Sequence, residues 1–225
     1  MNLKMKKLLI TLLLTAILLT SAAGLIMAQG PGNGIHSPED IVNDYPIFEL
    51  SDKQIADLKF MYEEEKLARD LYTRLGEEWN LPAFENISKS EAQHMSALAA
   101  LFTKYDLEKP SADPGEYNNS ELKAAYEEFL IRGLESEKAA LELGKELEIK
   151  DISDLEEVMI DAPEDFKAVY ANLKAGSENH LEAFDRVLNN ERGSRGSQRA
   201  QNNQSGKTNM NRNTNNRPNR VGNRK

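Results

Sequence analysis

The most regular apolar pattern in this chain runs Phe84, Ile87, Glu91, His94, Leu98, Leu101, Tyr105, each three or four residues from the last. That spacing puts all seven on one helical face, with two polar side chains inside an apolar stripe. A second stripe, Phe166, Tyr170, Leu173, Ser177, His180, Phe184 and then Val187 or Leu188, repeats the arrangement. Residues 51–189 keep this period throughout and show no strand-like alternation, which predicts an all-α domain: a four-helix bundle. Helix one is expected to start at Ser51, whose Ser-x-x-Gln54 pattern is a capping box, and to run to about Glu78. Asn80-Leu81-Pro82 marks a turn, with proline opening a helix two that runs to about Tyr105. Pro, Gly and Asn crowd residues 106–120, which read as one long crossover between helices two and three. A short amphipathic helix follows, through Leu122, Tyr126, Phe129 and Leu130. Helix three carries Leu134, Glu137, Leu141, Gly144 and Glu148, is expected to break near Asp151-Ile152-Ser153, and is followed by a short helix over 155–160. Pro163 opens helix four.

The flanks differ in kind from this body. Lys4, Lys6 and Lys7 precede a run from Leu8 to Ala28 without a charge, the pattern of an export segment. Residues 1–28 are therefore read as a signal peptide, with an uncleaved membrane anchor as the alternative. Residues 29–50 read as a linker, and His36 within them as an incidental polar residue. From about residue 190 the chain is rich in Asn and Arg and nearly devoid of apolar side chains, which predicts a disordered basic tail over 190–225. The whole chain carries −9, so with both ends basic the body is more acidic still. The tail suits an anionic cell-surface polymer, or no specific partner at all. Nucleic acid is excluded, because the leader directs export and the tail lacks interleaved aromatics. The absence of cysteine excludes disulfides and thiolate metal sites.

Burying carboxylates and imidazoles in an apolar seam is costly unless something neutralises them, and a divalent cation does so. Glu91 and His94 sit one turn apart on helix two; His180 lies on helix four; Glu65 or Glu64 faces inward from helix one; Glu148, with Asp151 three residues on, comes from helix three. Oxygen and imidazole donors without sulfur suit iron or manganese, with zinc as an alternative, as one ion or as two bridged by Glu65 and Glu148. Each residue also has a plainer reading. Glu91 could close a capping box with Ser88, and His94 could be a core histidine bonded to Ser90 or a carbonyl. At least one of Glu63, Glu64 and Glu65 should be solvated, and Tyr62 and Tyr72 could be core packing or hydrogen-bond partners of the site.

The segment Glu65-Lys-Leu-Ala68-Arg69-Asp-Leu-Tyr72 resembles the Glu-x-x-Ala-Arg-x-x-Tyr stretch of rubrerythrins in the ferritin-like superfamily. The segments Glu64–Asp70, Ser90–Met95, Gly144–Ile152 and Gly176–Phe184 together resemble the domain of unknown function 2202 family over the whole body. The resemblance implies a ferritin-like bundle with a di-metal carboxylate centre, and it selects Glu65 over Glu64. Where rubrerythrins carry a second Glu-x-x-His, this chain has Ser177-x-x-His180, so Asp151, Glu182 or water would stand in for a carboxylate. The implied function is an exported metal-binding protein with one or two iron or manganese ions turning over oxygen or peroxide, in the manner of a ferroxidase or peroxidase. Rubrerythrin-like chemistry draws electrons from a cysteine-ligated iron domain, which here would belong to another protein. The alternatives are non-catalytic metal storage and a metal-free helical interaction protein acting through its tail.

Overall fold

The computed structural model describes the backbone of residues 38–210 and the side chains of residues 40–190. Six helices and no strand occur among the described residues: α1 (Pro38–Asn43), α2 (Asp52–Trp79), α3 (Pro82–Lys104), α4 (Ser120–Gly133), α5 (Glu137–Met159) and α6 (Glu164–Met210). The capping box at the start of α2 forms in full: Gln54 N–H donates to Ser51 Oγ, and Ser51 N–H donates to the Gln54 side chain. Asn80 ends α2 in the left-handed conformation, its N–H bonding back to Gly76 O, and Pro82 opens α3 two residues later. The alternative reading, a capping box of Ser88 with Glu91, does not form. Ser88 lies inside α3, and its hydroxyl donates to Glu85 O.

The four long helices close a ring in which α2 packs on α3, α3 on α6, α6 on α5 and α5 on α2, while α4 lies against α2 and α5. Their apolar faces form two clusters. One gathers Leu58, Met61, Leu98, Phe102, Leu155, Phe166 and Tyr170; the other gathers Leu71, Tyr72, Phe84, Leu141, Leu143, Phe184 and Leu188. Each long helix contributes to both clusters, and a belt of buried polar residues interrupts it between them. Close approach of α5 and α6 requires glycine at Gly144, where a Cβ would lie 2.6 Å from the Phe184 ring. Gly144→Ala is therefore expected to destabilise the fold by about 1–3 kcal/mol through overpacking, read as a lower midpoint in urea unfolding.

Four features differ from the sequence expectation. The break near Asp151-Ile152-Ser153 is absent and α5 is continuous, because Leu147, Glu148, Asp151 and Leu155 keep helical spacing and are all buried. Packing of one face outweighs the local turn preference of Asp and Ser. Leu134 is not on that helix but caps α4. The linker contains α1, whose Val42 is buried; the carbonyls of Val42 and of Tyr45, just past the helix, accept from Lys104 Nζ. The last helix runs as backbone to Met210, twenty-one residues into the segment expected to be a disordered tail; extending a formed helix fixes only one residue per added hydrogen bond. Residues 211–225, the leader 1–28 and His36 lie outside the described residues. Among those described, no helix is long and apolar enough to cross a membrane.

The 106–119 connection is tied down by α2. The fully buried Lys66 Nζ donates to Glu116 O at 2.5 Å, Glu63 accepts the N–H groups of Asn118 and Asn119, and Asp70 accepts from Gly115 N and Tyr117 Oη. These contacts give the buried Glu63, Lys66 and Asp70 side chains partners in a largely exposed loop and anchor that loop to α2.

Candidate metal centre

The polar belt is built by one turn from each long helix: Glu64 and Glu65 on α2, Glu91 and His94 on α3, Glu148 and Asp151 on α5, Ser177 and His180 on α6. All eight are buried. A spacing of three puts the pairs on α3, α5 and α6 on one inward face each, the adjacent Glu64 and Glu65 are both buried on α2, and the apolar residues one turn to either side, such as Met61 and Ala68 on α2, keep water out.

Glu91 stands at the centre. Its Oε2 lies 2.8 Å from His94 Nδ1 and its Oε1 lies 2.9 Å from His180 Nδ1. Glu65 Oε2 approaches His94 Nδ1 at 3.2 Å, and Glu148 Oε2 approaches His180 Nδ1 at 3.5 Å. The donors thus form two groups, Glu65–Glu91–His94 and Glu91–Glu148–His180, each with its ligand atoms within 4.8 Å of one another. The two imidazoles stack with centroids 5.4 Å apart. His94 turns Nε2 toward Gly176, where a Cβ would lie 2.4 Å away, so only glycine at that position leaves room for a ring presenting Nδ1 inward.

Several of these atoms lack hydrogen-bond partners: Glu64 Oε2, Glu65 Oε1, Glu91 Oε1, Asp151 Oδ1 and His180 Nδ1. His180 Nδ1 and Glu91 Oε1 are close yet misaligned for a hydrogen bond, so charge rather than a directed bond draws them together. Donor atoms converging on shared points, with lone pairs unsatisfied by protein, fit a cation better than they fit each other.

The electrostatics agree. Burial pushes Glu64, Glu65 and Asp151 well above the usual carboxylate range. Burial and the charge of Glu91 push Glu148 up to about 7. For Glu91 burial works in the same direction, but the two flanking imidazoles outweigh it and bring the group down to about 2. Burial disfavours both imidazolium ions, yet Glu65 and Glu91 raise His94 to about 11, and Glu148 and Glu91 raise His180 to about 9. Without metal, the imidazole protons act as the counter-charges of the belt.

All six residues expected from the sequence, Glu65, Glu91, His94, Glu148, Asp151 and His180, converge here, but their pairing differs. Glu91, rather than Glu65 and Glu148, is common to both groups, because it alone places an oxygen beside each imidazole. Asp151 is outside both groups; its Oδ2 lies 2.6 Å from Ser177 Oγ, while Glu182 is exposed. None of Glu63, Glu64 and Glu65 is solvated, contrary to expectation: Glu63 holds the 106–119 connection and Glu64 Oε1 accepts from Lys150 Nζ at 2.9 Å. Tyr72 Oη donates to Glu148 Oε1 at 2.7 Å and belongs to the site, whereas Tyr62 Oη accepts from Lys109 away from it. Removing the hydroxyl in Tyr72→Phe leaves Glu148 without that donor, and a loss of about 1–3 kcal/mol in unfolding free energy is expected by denaturant titration.

Residues 54–208 match the family described as an uncharacterized protein domain, DUF2202. The chain belongs to this family. It is 39% identical over 154 residues, 67% of this chain and 83% of the relative, to the uncharacterized protein MJ0754 of Methanocaldococcus jannaschii. It is also similar to the crystal structure of hypothetical protein MJ0754 from Methanococcus jannaschii, with a TM-score of 0.64 and 39% identity over 65% of this chain and 86% of that one. The DUF2202 match contains all eight residues of the belt and excludes the leader and the linker.

Proposed function

We propose that this DUF2202 protein is a ferritin-like metal-binding protein that holds two divalent ions, iron or manganese, in the belt. Glu65 and His94 would hold one ion, Glu148 and His180 would hold the other, and Glu91 would be shared by both. The observation that carries this reading is the division of Glu91, one oxygen to each histidine-containing group. Oxygen and imidazole donors in a cysteine-free chain favour iron or manganese, and zinc also fits. The ring of four long helices, with the 106–119 connection as its crossover, is the ferritin-like arrangement in this reading. The leader, with its uncharged run from Leu8 to Ala28, adds export, and the basic tail adds adhesion to anionic surface polymers.

When bound, such ions supply electron transfer to oxygen or peroxide. The chain's own residues position the carboxylates, hold Glu148 through Tyr72, and exclude bulk water through the two apolar clusters. To test this, the full chain is loaded with Fe(II), Mn(II) or Zn(II), freed of loose metal and assayed by elemental analysis and thermal melting. Two ions per chain and a raised Tm are expected; no bound ion with an unchanged Tm overturns the reading. Bound iron or manganese that consumes peroxide no faster than the free ion removes the catalytic component and leaves storage.

A further inference from the structure

Glu64 is not needed by either group, yet it is as deeply buried as the residues that are. It lines one narrow gap, too tight to hold a water molecule, together with Glu65, Ala68, Glu91, Leu147, Glu148 and Asp151. Two carboxylate oxygens of that lining outside the proposed ligands, Glu64 Oε2 and Asp151 Oδ1, have no hydrogen-bond partner. The other oxygen of Glu64 meets Lys150 Nζ, and Lys150 reaches it from outside: its side chain is 49% exposed while that of Glu64 is 3% exposed. The ammonium also pairs with Asp154 on the surface and lies 5.5 Å from the centre of the Phe60 ring. A flexible, half-solvated cation therefore covers a buried carboxylate whose far side faces the centre.

We infer that Lys150 is a tethered counter-ion closing the entry route for divalent cations, and that Glu64 with Asp151 forms a transit site between the surface and the two-ion centre. This rests on the two-ion reading. A lysine ammonium carries one charge on four rotatable carbons, so an arriving divalent ion can take its place at Glu64 while Lys150 stays paired with Asp154. Glu64 then hands the ion inward to Asp151 and Glu65, whose side chains line the same narrow gap. Because Glu64 and Lys150 lie on the route and not in the final ligand set, they control the rate of loading and not the number of ions held.

The test is stopped-flow loading of the full chain with Co(II), followed by its visible absorption, with bound metal counted at the end. Lys150→Met is expected to load about ten-fold faster and Glu64→Gln about ten-fold slower, both finishing at the native two ions. Lys150→Arg keeps the cation and the pairing and is expected to load no faster than the native chain. Lys145→Met makes the same change of net charge on α5 at a lysine paired with Asp185 and is expected to load within about two-fold of native. Circular dichroism establishes that each variant is folded. If Glu64→Gln and Lys150→Met both load at the native rate, or if Lys145→Met accelerates loading as much as Lys150→Met, the gate is overturned while the two-ion reading stands. A native chain that binds no cobalt overturns both.

Discussion

Glu91→Ala is expected to abolish binding of both ions, whereas Glu65→Ala and Glu148→Ala should each lose one. The asymmetry follows from the geometry, since only Glu91 contributes an oxygen to each histidine-containing group. A set of independent single-ion sites would instead give graded losses with no variant removing everything. Metal-to-chain ratios by elemental analysis separate the two patterns. The same substitution also acts on the metal-free protein, because it takes away the buried anion that His94 and His180 share. Breaking a buried charge pair from one side costs about 3–5 kcal/mol, so the metal-free variant should also melt well below the native chain. Glu91→Gln preserves volume but not charge, and is expected to lose the metal just as fully.

Raising the pH should weaken the metal-free fold and strengthen metal binding over the same interval. His94 and His180 have folded pKa values raised to about 11 and about 9, so their contribution to stability is complete below the ordinary imidazole value near 6.5 and is lost as pH rises through 9 and then 11. The raised carboxylates act in the same direction: Glu148, at about 7, contributes fully below the ordinary carboxylate range and loses that contribution by about 7. Glu91 has the opposite sign, its contribution being present above the ordinary range and lost only as pH falls through about 2. Between pH 5 and 9 the Tm of the metal-free protein should therefore decline. Metal displaces the protons of both imidazoles, so affinity should rise by up to about ten-fold per pH unit for each proton released. A Tm increment on metal addition that grows from pH 6 to pH 9 is the expected observation; an increment that shrinks would mean the imidazoles are not ligands.

Much of this arrangement can be read from the chain because the signals are local. The Ser51–Gln54 box, Pro82, and the stripes carrying Glu91–His94 and Ser177–His180 each fall within a few turns of one helix, where spacing alone determines the face. The continuity of α5 through Asp151 was hidden, since residues that favour turns sit in a helix whose buried face comes from three other helices. The burial of Glu63 and Glu64 was hidden for a related reason: their partners, Asn118, Asn119 and Lys150, are distant in sequence. A run of three glutamates reads as a solvated surface until those partners are placed. The sharing of Glu91 depends on the relative rotation of α3 and α6, which no single stripe encodes.

The two-ion centre is tested most directly by anomalous diffraction from crystals of the chain loaded with Fe(II) or Mn(II), collected at the edge of that metal. Two peaks about 3.5–4 Å apart are expected, one between Glu65 and His94 and one between Glu148 and His180, with Glu91 contributing an oxygen to each. A single peak, or peaks that leave Glu91 uncoordinated, would contradict the account.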